Sequence, residues 1–161
     1  MVKTNGFTLI ETLTVVAILG ILSLFILVSV FGIREKAKDT KRKIEVSQAG
    51  RYLTNGCYVP DAGAGEYDLI PLTQEIFSKN PQYKEFLQTV PKDPKTGDET
   101  ESKYMYVVAP GGTKCALYAN LENKKEKITL SITEPTPGGG TGVFKGSIGW
   151  NGTDVYFQYS N

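Results

Sequence analysis

The side chain with the plainest chemical demand is Glu11, a lone carboxylate at the head of the uncharged run Thr12 to Ile33. An unpaired carboxylate in lipid costs roughly 2.5–3.5 kcal/mol on insertion scales, so something must pair with it. Two cysteines, Cys57 and Cys115, lack the C-x-x-C spacing or further ligands of a redox or metal pair. They read as a structural disulfide closing a loop of about 58 residues, roughly 4 kcal/mol in the chain-entropy picture. Two unpaired cytosolic thiols are the alternative. Asp93, Asp98, Glu99 and Glu101 gather the carboxylate oxygens that calcium prefers, although solvated loop acids are the commoner case. The sequence has no histidine, which removes Ser-His-Asp and Cys-His relays, a histidine general base and any His-containing zinc site. No catalytic residue is assigned, and the chain is not read as an enzyme.

Long elements must position these groups. The 22 residues from Thr12 to Ile33 make a helix of roughly 33 Å at 1.5 Å per residue, enough to cross a bilayer. No proline occurs between Phe7 and Val59, so one helix can run from residue 7 to about residue 56, roughly 75 Å, with Pro60 as its stop. Ile33, Ala37 and Ile44 fall near one stripe, and Val46, Ala49, Gly50 and Leu53 form a second that should pack under a folded head. Gly20 and Ser23 read as close-packing positions or simply as tolerated ones.

From Asn55-Gly56 the composition turns to Gly, Pro and Ala, which places the junction with a head over 57–161. Thr73 is the expected N-cap of a short helix with Leu72, Ile76 and Phe77 on its apolar face; a second turn starts at Pro81 and carries Tyr83, Phe86 and Leu87. Strands are expected over 103–109, 115–121 and 127–133, the first two joined by the Pro110-Gly111-Gly112-Thr113 turn. Residues 134–142 are expected to loop. Residues 143–150 and 154–159 flank Asn151-Gly152-Thr153, a hairpin signal that also fits the N-glycosylation pattern. The fold class is α+β: a long amino-terminal helix, half membrane-spanning and half amphipathic, on a small antiparallel sheet. Tyr104, Tyr106, Tyr118, Tyr156 and Tyr159, with Phe144, Trp150 and Phe157, read as sheet packing rather than as an adhesion face.

The formal charge of +1 hides an uneven distribution. Residues 34–43 hold six bases (Arg34, Lys36, Lys38, Lys41, Arg42, Lys43) against Glu35 and Asp39, whereas 44–161 hold 11 bases against 14 acids. The mildly acidic head offers no nucleic-acid surface, and the basic decade reads as a charged stretch beside a span. By the positive-inside rule that decade would lie in the cytoplasm.

Lys3, Gly6-Phe7 and Thr8-Leu9-Ile10-Glu11 ahead of a long apolar helix resemble the type IV pilin-like family, which includes the pseudopilins of type II secretion. The resemblance implies a leader of residues 1–6, removed by a prepilin peptidase between Gly6 and Phe7, and N-methylation of Phe7. It implies that Glu11 meets the Phe7 amine of a neighbouring subunit in a homo-oligomeric helical filament that also takes related minor pilins. It further implies an inner-membrane assembly platform, a single pass through the cytoplasmic membrane over about 12–33, and an extracytoplasmic head that ends in a cell-surface or periplasmic filament. That orientation opposes the flanking charges and agrees with a cysteine pair in an oxidising compartment. Many members carry a proline in mid-helix; here that region offers Gly20, Ser23, Ser29 and Gly32. Val90-Pro91-Lys92-Asp93-Pro94 before tyrosine-rich strands looks like the head of the major pseudopilin, in which a nearby loop binds calcium. Lys95-Thr96-Gly97 departs from the aromatic residue and glycine usual there, and the hairpin 143–159 is an addition. A membrane-anchored, monomeric extracytoplasmic binding protein is the alternative function.

Overall fold

The computed structural model describes residues 6–83 and 89–161, with the side chains of 25–31 and 83 left aside. The expected turn residues Phe86 and Leu87, and Lys3 of the leader, lie outside the described residues. The chain divides into two units, Met1–Glu35 and Lys36–Asn161.

The first unit is the start of α1 (Leu9–Thr54). Thr8 caps it, and Glu11 three residues later returns the bond: Thr8 N donates to Glu11 Oε2 at 2.8 Å and Glu11 N to Thr8 Oγ1 at 3.4 Å. This reciprocal arrangement satisfies two amides that a helix start leaves without partners. Beyond it Leu9, Ile10, Leu13, Val16, Leu19 and Leu22 are all exposed. An added Cβ at Gly20 would meet nothing within 4 Å, and the Ser23 hydroxyl donates to the Leu19 carbonyl. Among the described residues no helix is long and apolar enough to cross a membrane; the expected span includes 25–31, whose side chains are outside the description.

In the second unit the rest of α1 lies on a sheet ordered β1-β2-β3-β5-β4, antiparallel throughout: β1 Gly65–Asp68, β2 Tyr104–Val108, β3 Cys115–Asn120, β4 Gly142–Lys145 and β5 Val155–Ser160. Alternation sends Tyr104, Tyr106 and Val108 to the face that packs with Val46, Ala49 and Leu53 of α1. Met105 and Val107 point to the other face, where Tyr118, Phe144 and Tyr156 form a second core with Leu130, Ile132 and Trp150. With both faces covered, the central strand β3 is buried at every residue. The aromatic residues are packing, as expected.

The buried stripe of α1 runs Asp39, Arg42, Val46, Ala49, Leu53, with the three- and four-residue steps of one helix face and Gly50 buried beside it. Its second half is as expected. The stripe through Ile33, Ala37 and Ile44, for which no packing was expected, is exposed, and the packed face continues through an acid and a base. At Gly50 an added Cβ would come within 2.6 Å of the Tyr159 ring, so glycine lets the helix approach β5. The helix stops at Thr54, ahead of Pro60, in a turn that places Cys57 at φ 36°.

Four further expectations are revised. The short helix is α2 (Leu69–Lys79), capped by Asp68, whose Oδ1 accepts from Ile70 N at 2.9 Å. Thr73 sits inside it, buried, donating to the Ile70 carbonyl. Pro71 is tolerated because the first turn needs no intrahelical N–H. Strand β1 arises where no strand was expected: Gly65–Asp68 pairs with Val108–Met105. Residues 127–133 form no strand; Thr129 N and Leu130 N donate to the Val143 carbonyl, and Leu130 and Ile132 cover the second core. The last hairpin forms, but β4 ends at Lys145 and residues 146–154 make the connection. There a Cβ at Gly149 would lie 2.3 Å from Tyr156 Oη, so glycine allows the close approach, and Asn151 is buried.

Candidate functional site

Two groupings carry the polar chemistry. In the first, at the amino end, Gly6 and Phe7 precede the helix and are exposed, Phe7 by 86%. A Cβ at Gly6 would meet nothing within 4 Å, so the packing of this chain does not require glycine there. Glu11 Oε2 also accepts the Thr8 hydroxyl at 2.7 Å. The acid is thus satisfied within its own chain by the residue three before it, a pairing that the Thr-x-x-Glu spacing offers to a reader looking for helix caps.

The second grouping escaped the sequence reading. Arg42 is fully buried beneath the head and its guanidinium meets three carboxylates. Nε and Nη2 donate to Asp93 Oδ2 and Oδ1, both at 2.8 Å, the two-pronged geometry that suits guanidinium and carboxylate. Nη1 donates to Asp39 Oδ1 at 2.7 Å. Glu122 Oε1 lies 2.8 Å from Nη2 as an ion pair, yet has no aligned donor among the described residues, so this contact is electrostatic rather than a directed hydrogen bond. Lys38 and Lys95 flank Glu122 at 3.4 and 3.7 Å.

Each acid also fastens backbone. Asp39 accepts from the amides of Glu122 and Asn123, and Asp93 from those of Lys95 and Thr96. Asn151 Nδ2 donates to Asp93 Oδ2 and to the Asn120 carbonyl, each at 2.8 Å. One guanidinium thereby links α1, the 93–102 loop, the turn after β3 and the β4–β5 connection. Burial works against the charge of Arg42, but its hydrogen bonds to Asp93 and Asp39 and its ion pair with Glu122 outweigh that and hold it protonated. Burial likewise opposes the Asp93 carboxylate, and Arg42, the Lys95 amide and Asn151 override it, pulling its pKa down to about 2. A signal was present in the sequence: Arg42 and Asp39 lie four and seven residues before Val46, on the extension of the stripe.

The expected calcium ligands are dispersed among other tasks. Asp93 serves Arg42. Asp98 Oδ1 accepts from the amides of Thr100 and Glu101 and from the Thr100 hydroxyl, bonds that hold its pKa at about 2. Glu99 pairs with Lys92, and Glu101 with Lys103. Among the described residues no three His, Cys, Asp or Glu side chains converge as a metal site. Cys57 and Cys115 are joined in a disulfide, with Cα atoms 5.6 Å apart, tying the turn after α1 to the first residue of β3. The side chain of Asn151, the residue in the glycosylation pattern, is buried and fully engaged.

Residues 1–27 match the family model described as the prokaryotic N-terminal methylation motif. The chain is 28% identical over 155 residues to the type II secretion system core protein G of Vibrio cholerae serotype O1 (strain ATCC 39315 / El Tor Inaba N16961), covering 94% of each. No solved structure is significantly similar to it. In its amino-terminal motif, its chain-long similarity and its helix-on-sheet architecture, this chain is similar to the type IV pilin-like family.

Proposed function

We propose that the chain is a structural subunit of a type II secretion pseudopilus, cut between Gly6 and Phe7 and assembled through α1. The observation that carries this reading is the similarity to a type II secretion core protein along 94% of both chains. The methylation motif over residues 1–27 supports the cut and the modified Phe7. The free space at Gly6 agrees with it too, since the demand for glycine then comes from a processing enzyme. The partners are further copies of the chain, related minor pseudopilins, a prepilin peptidase and an assembly platform in the inner membrane. The chain waits in the cytoplasmic membrane with its head outside the cytoplasm, where a disulfide persists.

Assembly supplies a second partner for Glu11. In the single chain the carboxylate is held by Thr8, and a helix lying beside it can bring the Phe7 amine to the same oxygen atoms, adding a charge-assisted bond while the exposed apolar side chains are buried together. Co-expression of Glu11→Val with wild type is expected to give filaments depleted of the variant, measured by mass spectrometry of purified filaments. Equal incorporation of the two would refute the role of Glu11.

A further inference from the structure

We propose that Arg42 is the resident cation of the 93–102 loop, so that the head keeps this loop closed without calcium. The loop is built inward on Asp93. Its Oδ1 accepts from Arg42 Nη2, Lys95 N and Thr96 N, and its Oδ2 from Arg42 Nε and Asn151 Nδ2, five donors on two oxygens. A carboxylate so engaged has little lone-pair capacity left for a metal ion. The space inside the loop is filled as well. Asp93 N donates to the Ser102 carbonyl and Gly97 N to the Asp93 carbonyl, and even a methyl group on Gly97 would lie 2.7 Å from Asp93 N and 2.8 Å from Ser102 O. The remaining acids turn outward to Lys92 and Lys103 or cap the loop's own amides.

The positive charge that gathers the segments therefore comes from a side chain. Arg42 draws in Asp39, Asp93 and Glu122 from three separate stretches of chain, a role that a bound cation also performs. Because the guanidinium is carried on α1, closing the loop and seating the helix are one event. The proposal concerns the folded head and stands independently of the filament reading.

The test uses the full chain in detergent micelles. Thermal unfolding of the wild type in millimolar calcium chloride and in excess chelator is expected to give coinciding midpoints. A midpoint raised by calcium or lowered by chelator would overturn the proposal. Arg42→Gln is expected to lower the midpoint by roughly 6–20 °C. It should also speed hydrogen exchange at the amides of Lys95 and Thr96 while the amides of β3 stay protected. Should that variant fail to fold, Arg42→Lys, which keeps the charge but not the fork, carries the exchange measurement. Unchanged exchange at Lys95 and Thr96 in a folded Arg42 variant would equally overturn it.

Discussion

Arg42 shows how far a residue's role departs from its type. In the sequence it is one of six bases in a decade that reads as a solvated flank; in the fold it is the buried centre of a four-segment junction. A buried ion pair need not stabilise more than a packed apolar substitute would, but losing one member leaves the other buried and uncompensated. This gives the junction a pH signature. Asp93 has a folded pKa of about 2, below the range near 4 usual for aspartate, so its contribution is present above about pH 4 and is lost as pH falls towards 2. Urea unfolding across that window should show a loss on the order of 2 kcal/mol attributable to Asp93. Asp93→Asn should be less stable at neutral pH and flatter between pH 4 and 2. A variant with the wild-type slope would show that Asp93 does not carry the effect.

At the scale of elements, the approach of α1 to the sheet is governed by Gly50, where even a methyl group would press on the near end of the Tyr159 side chain. Gly50→Ala is expected to cost about 1–3 kcal/mol in chemical unfolding, despite the better helix propensity of alanine. Unchanged or raised stability would mean that β5 yields easily. The stripe Val46-Ala49-Gly50-Leu53, the β2–β3 hairpin and the last hairpin were legible because apolar periodicity and turn chemistry act over short distances. The first half of the stripe was not, since a buried Asp39–Arg42 pair looks like surface until its distant partners Asp93 and Glu122 are known. Strand β1 was hidden by its length, four residues that owe their conformation to pairing with β2. Residues 127–133 have strand composition but serve as cover for an aromatic core, so their side chains are placed while their ladder is not. Thr73 lost the cap position to Asp68, which also accepts from the amides of Ser102 and Lys103 and so joins α2 to the start of β2.

For the whole molecule, the two units answer to different demands. Lys36–Asn161 is closed on itself by a two-faced sheet, the Cys57–Cys115 disulfide and the Arg42 junction. Met1–Glu35 leaves the large apolar side chains among its described residues exposed and satisfies Glu11 locally at Thr8, a surface that gains when several helices lie together. In the proposed function, a cut before Phe7 would turn the first unit from the anchor of a precursor into an assembly element by creating a new amine at Phe7, four residues before Glu11. The mass and amino-terminal sequence of the protein recovered from its host membranes test this most directly. A chain beginning at N-methyl-Phe7 is the predicted result; a functional chain that still begins at Met1 would contradict it.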